Sequence, residues 1–232
     1  MLTNLWIALV WFALSFICML FFDTEGIGPY SCSLDIYSFV LDPVSYCLIA
    51  MPSIMLYYET NIVNLSKYQF ALRTGSRPGL RSKKILSGLF FSLVLSAMTF
   101  ILSLVTALFL KLPLYNWDSA NSSFFLSFHR QFFMHAFPGI LVPFFMFFNR
   151  TFLLFLLLVL VDYSMLSRAG IMVLAAIVSF VEWRYHCRIF VLLLTVNGYF
   201  LEPQGLIRCL IQTGIYYILI YLTVNIFNRK NI

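Results

Sequence analysis

The chain has 232 residues, of which 62% are hydrophobic and 10% charged, a formal net charge of +6 and a mean hydropathy of +0.92. A soluble domain carries about 25% charged residues, and the 26 Phe here would leave large apolar patches in water. Composition therefore excludes an ordinary soluble domain and reads as an all-α, polytopic integral membrane protein, 1–232 forming a single transmembrane domain. With about 20 apolar residues to a crossing, the length allows roughly six to eight spans and no separate soluble domain.

The first apolar run, residues 5–22, has neither a basic leader nor an A-x-A site after it and is read as a retained span, not a signal peptide. An acidic loop with Asp23, Glu25 and Asp35 follows, free of Lys and Arg. The second run, 36–58, is interrupted at Asp42-Pro43 and at Pro52. Residues 59–84 form the main polar segment, with Lys67, Arg73, Arg77, Arg81, Lys83 and Lys84 against one acid, Glu59. Positive charge concentrates on the cytoplasmic side of membrane proteins, so this segment is expected inside. Within it Ile62, Leu65, Tyr68 and Leu72 recur at three- and four-residue steps, the apolar stripe of a short amphipathic helix that Gly75 and Pro78 end.

The third span, 85–110, is uninterrupted and carries Ser92 and Ser96, a small-residue pair suited to close helix approach. A polar loop, 111–131, leads to a fourth run, 132–148, crowded by Pro138-Gly139 and Pro143. Asn149-Arg150 reads as a tight turn before a fifth run, 151–167, and the last span is 206–227, followed by Arg229 and Lys230. With 59–84 inside, both termini fall on the cytoplasmic side and Arg150 lands there too. Between 168 and 205 two short apolar pieces, 170–181 and 189–201, flank the polar interval 182–188. Six spans with a re-entrant region before the last are expected, and eight spans are the alternative.

No motif of an enzyme stands in the chain. H-E-x-x-H, G-x-S-x-G and G-x-x-x-x-G-K-[ST] are absent, and His129, His135 and His186 are scattered. The five cysteines lack metal spacing and read as small apolar fillers. No catalytic residue, metal ligand or bound cofactor is expected, and the basic residues fall between apolar runs and form no nucleic-acid surface. Ionisable residues at membrane depth are costly and mark pathways or packing contacts. Asp42 and Asp162 are the candidates here, either as polar lining of a translocation path or as interfacial and packing groups.

The stretch Lys67-Tyr68-Gln69-Phe70-Ala71-Leu72-Arg73-Thr74-Gly75-Ser76-Arg77, leading into the third span, resembles the cytoplasmic loop of type-2 ATP-binding-cassette (ABC) permeases of bacterial peptide and bacteriocin export or immunity systems. The tail from Tyr216 through Asn225-Ile226-Phe227-Asn228-Arg229-Lys230 is similar to the end of the same permeases, while the polar 182–188 interval and the proline-rich fourth run depart from them. The resemblance implies a permease subunit in a bacterial cell membrane. Residues 59–84 would hold a coupling helix whose Lys67, Tyr68, Leu72, Arg73 and Arg77 contact a separate cytosolic ABC ATPase, which alone binds ATP and Mg. It further implies a homodimer or a heterodimer with a second permease among membrane lipid, moving a peptide or another amphipathic cargo. Two other readings stay open: a stand-alone secondary transporter or channel with Asp42 and Asp162 in an ion path, and a non-transporting immunity or scaffold protein.

Overall fold

A computed structural model describes residues 2–22, 30–63, 77–122, 136–161 and 167–185, with single helical positions between 211 and 221. Regular structure among these residues is helical throughout. Helix α1 is Leu2–Phe22 and α2 is Ser33–Leu41. Helix α3 covers residues 43–62 as four joined pieces: Pro43–Ser45, a π turn Tyr46–Ala50, Met51–Tyr57 and a second π turn Tyr58–Ile62. Helices α4, α5 and α6 are Arg77–Phe109, Ala136–Val161 and Arg168–Tyr185. Two stretches, Ser82–Phe109 in α4 and Pro143–Val161 in α5, are long and apolar enough to cross a membrane. A third crossing is available if α2 and α3, bent by 72°, act as one broken span.

The break is where Asp42-Pro43 interrupts the second run. Pro52 does not break it. A proline ring in a regular α-helix crowds the carbonyl four residues back, and the wider π turn ending at Ala50 absorbs that crowding. Side chains cover the carbonyls that these wide turns loosen: Ser53 Oγ donates to Ile49 O at 2.8 Å, Thr60 Oγ1 to Leu56 O at 2.6 Å and Asn61 Nδ2 to Tyr57 O at 3.3 Å. Ile62, expected on the stripe of a separate amphipathic helix, is buried in the core at the end of α3.

The described residues of the fourth and fifth runs, 136–161, are one helix. Asn149-Arg150 makes no turn, and α5 continues from Ala136 to Val161 through Pro143. Likewise α6 carries the short 170–181 piece on through Tyr185, so the first half of the polar interval is helical.

Helix α4 is built inside out by the standards of a soluble protein. Its buried face is mostly small, with Ser87, Gly88, Ser92, Ser96, Thr99, Ser103 and Ala107 joined by Lys84, Phe91 and Leu95, while Leu86, Leu89, Phe90, Leu93, Ile101, Val105 and Leu108 are exposed. Small residues inward let helix backbones approach, as in membrane bundles. At Gly88 the fit is closest, since a Cβ there would overlap the Phe155 ring of α5. Three of the buried hydroxyls bond within the helix, Ser96, Thr99 and Ser103 each donating to the carbonyl four residues earlier at 2.8 Å. Ser87 Oγ shares a 2.6 Å hydrogen bond with the Tyr57 hydroxyl of α3, and Ser92 Oγ has no hydrogen-bond partner among the described residues. Aromatic contacts gather the other helices onto α5. Phe147 meets the rings of Phe12, Tyr37 and Tyr46, and Tyr58 meets Phe155.

The bundle has two distinct ends. At one, the segment before α2 is sewn to the loop after α4, which bends away at Lys111 with φ 56°. Ser33 N–H donates to Pro113 O at 3.1 Å, Ser33 Oγ to Leu114 O at 2.7 Å and Asn116 Nδ2 to Tyr30 O at 2.7 Å. At the other, α3 ends beside the start of α6, where Arg168 Nη1 donates to both Glu59 oxygens at 3.0 and 3.2 Å. We refer to these as the Trp117 end and the Glu59 end.

Candidate functional site

The chemistry of the chain gathers at the bend between α2 and α3. Pro43 has no N–H, and the helix turns before the ladder can resume. Asp42 N–H closes a tight turn on Phe39 O at 3.1 Å, and the Asp42 carboxylate accepts from Val44 N–H at 3.0 Å and, more weakly, from Ser45 N–H at 3.5 Å. Asp42 is thus the N-cap of α3, and the regular ladder restarts with Tyr46 N–H on Asp42 O at 2.8 Å. Because Ser45 N–H turns to the Asp42 side chain, the carbonyl of Leu41 loses its partner one turn on.

Arg150 supplies the missing donor. Its Nη1 donates to Leu41 O at 2.6 Å, across 109 residues of sequence, and its Cζ lies 3.7 Å from the centre of the Tyr46 ring. Arg150 is only 2% exposed. A charge buried this deeply is tolerated where it is hydrogen-bonded and stacked, and the guanidinium fork suits both contacts at once. Arg150 clasps the open carbonyl of α2 and the first turns of α3 to the middle of α5. Beside it Asn149 Nδ2 donates to Thr213 Oγ1 at 3.0 Å, and Tyr217 donates to the Asn149 side chain while its ring meets Phe152. A polar seam therefore crosses the bundle at the level of the bend.

The Trp117 end is a second polar cluster. Asp35 accepts from Cys32 N–H at 2.8 Å through one oxygen and from Trp117 Nε1 at 2.7 Å through the other. Burial, then the nearby Asp35 charge, pushes the Cys32 thiol up to about 12. Tyr115 is pushed up to about 12 by burial, then by Asp118.

These positions sort the expected site residues. Asp42 is found capping α3. Arg77 opens α4. Lys67, Tyr68, Leu72, Arg73 and Asp162 lie outside the described residues. Arg150, read from the sequence as a cytoplasmic turn residue, is instead buried at the centre of the site. The signal for it was present: an Arg inside an apolar stretch running from 132 to 167, the kind of ionisable residue that marks function at membrane depth. Among the described residues no three His, Cys, Asp or Glu side chains come together as a metal set. Comparison with protein-family models, curated proteins and solved structures finds no match to this chain.

Proposed function

We propose that this chain is the membrane subunit of an exporter driven by a separate cytosolic ATPase, and that it moves an amphipathic or hydrophobic cargo such as a peptide. The observation carrying this reading is the bent α2–α3 span fastened by Arg150. Broken helices inside a membrane bundle line cavities and provide the joints of transport cycles. This one leads, past Ile62, directly into the cationic segment that resembles a coupling loop. The outward-facing apolar surfaces of α1, α4 and α6 support a lipid surrounding.

In this reading the chain crosses six times: α1, α2–α3 together, α4, α5, α6 and the run 206–227. The joining of two runs into α5 removes one crossing, and the extension of α6 restores one. Arg168 then moves to the same side as Lys67, Arg73, Arg77, Arg81, Lys83, Lys84, Arg229 and Lys230, so the Glu59 end faces the cytoplasm. Both termini are cytoplasmic. Thr213 beside Asn149, and Tyr217 beside Asn149 and Phe152, support a last span running parallel to α5. ATP binding would close the ATPase pair and move residues 64–76, held through Lys67, Tyr68, Leu72, Arg73 and Arg77. That motion would reach α3 and α4, which flank the segment.

The test is purification from the native membrane with identification of associated proteins. An ATPase should co-purify, and its activity should fall when Arg73→Glu and Arg77→Glu are introduced. Full transport by the purified chain in liposomes without nucleotide overturns the proposal. That second result would favour an ion-coupled carrier, a reading for which Arg150, rather than Asp42, offers the buried ionisable group.

A further inference from the structure

A groove of about 860 Å³ runs along the surface between α1 and α3. Trp6, Trp11 and Leu14 form one wall, Met55 and Leu56 the other, and Glu59 stands at one extremity. Everything in the lining except Glu59 is apolar. Trp6 is 64% and Trp11 48% exposed, and indole rings favour the interfacial zone of a bilayer.

We propose that this groove binds one phospholipid with a primary-ammonium, zwitterionic headgroup, its acyl chains along the Trp6 and Trp11 wall and its headgroup at the Glu59 end. The argument is charge complementarity. Glu59 is half-exposed and is held by Arg168, itself partly exposed, whose guanidinium lies 5.6 Å from the Tyr58 ring. Glu59 is the charged residue of the lining, and Arg168, outside the lining, lies 3.0 Å from it, so an anion with a cation beside it matches a headgroup that carries both signs. The ammonium donates to Glu59 while the phosphate accepts from Arg168, so both protein charges exchange one partner for another. An exposed ion pair contributes little by itself, so the exchange forgoes little. An anionic headgroup would set its charge against Glu59. A trimethylammonium headgroup has no N–H to donate to it. The proposal stands apart from the transport reading and needs only that this face meets lipid.

The experiment is tryptophan quenching by lipids brominated on the acyl chain, in the full chain reconstituted into phosphatidylcholine vesicles. Brominated phosphatidylethanolamine, phosphatidylglycerol and phosphatidylcholine are compared at equal mole fraction. Phosphatidylethanolamine should quench about twice as much as the other two. Glu59→Gln should abolish that excess, and Trp6→Phe with Trp11→Phe should abolish it while leaving the emission of Trp117 and Trp183. Equal quenching by all three lipids means non-selective shell lipid and overturns the proposal. Strongest quenching by phosphatidylglycerol, or an excess that survives Glu59→Gln, overturns it as well. The wild-type comparison decides the matter even if a variant misfolds.

Discussion

Replacing Arg150 by Met keeps the length of the side chain and removes the guanidinium, and it isolates what the clasp does. A hydrogen bond from a charged donor contributes about 1.5–3 kcal/mol, and a desolvated cation–π contact about 2 kcal/mol. Against these stands a cost of about 2.5–3.5 kcal/mol for an Arg at the centre of a membrane helix. The two sides nearly cancel, so Arg150→Met should shift global stability in detergent by less than about 2 kcal/mol. The local effect is different. Leu41 O is left buried without its donor, at about 1–3 kcal/mol concentrated on the bend. Opening of the first turns of α3 should become roughly tenfold to a hundredfold more frequent. Hydrogen–deuterium exchange of the Val44, Ser45 and Tyr46 amides reads this directly, with the amides of the middle of α4 as an unaffected reference. If those three amides exchange as slowly in Arg150→Met as in the parent chain, Arg150 does not hold the bend and the reasoning fails.

Other outcomes follow from the same geometry. Asp42→Asn should retain the cap of α3 and the stability of the chain, whereas Asp42→Ala should lose about 1 kcal/mol in a denaturant titration; equal losses from both would mean that the charge of Asp42, not its capping oxygen, matters. Gly88→Ala should destabilise the α4–α5 contact by about 1–3 kcal/mol, with recovery when Phe155→Leu makes room, and additive losses would refute the contact. A Cys32-only variant should react with iodoacetamide at pH 8 roughly a thousandfold more slowly when folded than when unfolded, on ionisation alone, and mass spectrometry counts the adduct. The sign with pH is set by the folded thiol holding its proton from 9.0 up to about 12. The cluster at the Trp117 end is therefore stable below pH 9 and loosens as pH rises towards 12, which Trp117 emission would follow.

What the sequence made legible was local. The break at Asp42-Pro43 follows from proline chemistry, and the third span from an unbroken apolar run. The Ser92 and Ser96 pair foretold a close-packed face because small residues at four-residue spacing share one side of a helix. What it misread was non-local. Asn149-Arg150 looks like a turn because a polar pair inside apolar sequence normally seeks water. It stays helical because its partners, Leu41 and Tyr46 on one side and Thr213 and Tyr217 on the other, arrive from distant parts of the chain. Pro52 was overvalued for a related reason: a π turn can accommodate the ring, and periodicity in sequence does not announce one. Ile62 kept its three-residue spacing with the stripe that follows but spends its apolar surface on the core of α3's own packing.

Helix α2 is anchored twice over. Ser33 and Asp35 tie its beginning to the 110–122 loop, and Leu41 ties its last carbonyl to α5. A nine-residue rod fixed at both tips has little freedom of its own. A rearrangement of this span would therefore have to come from α3 below the bend, and it would have to change the contacts that hold that half: Tyr57 on Ser87, Tyr58 on Leu158 O and Glu59 on Arg168. The Trp117 end would be its mount.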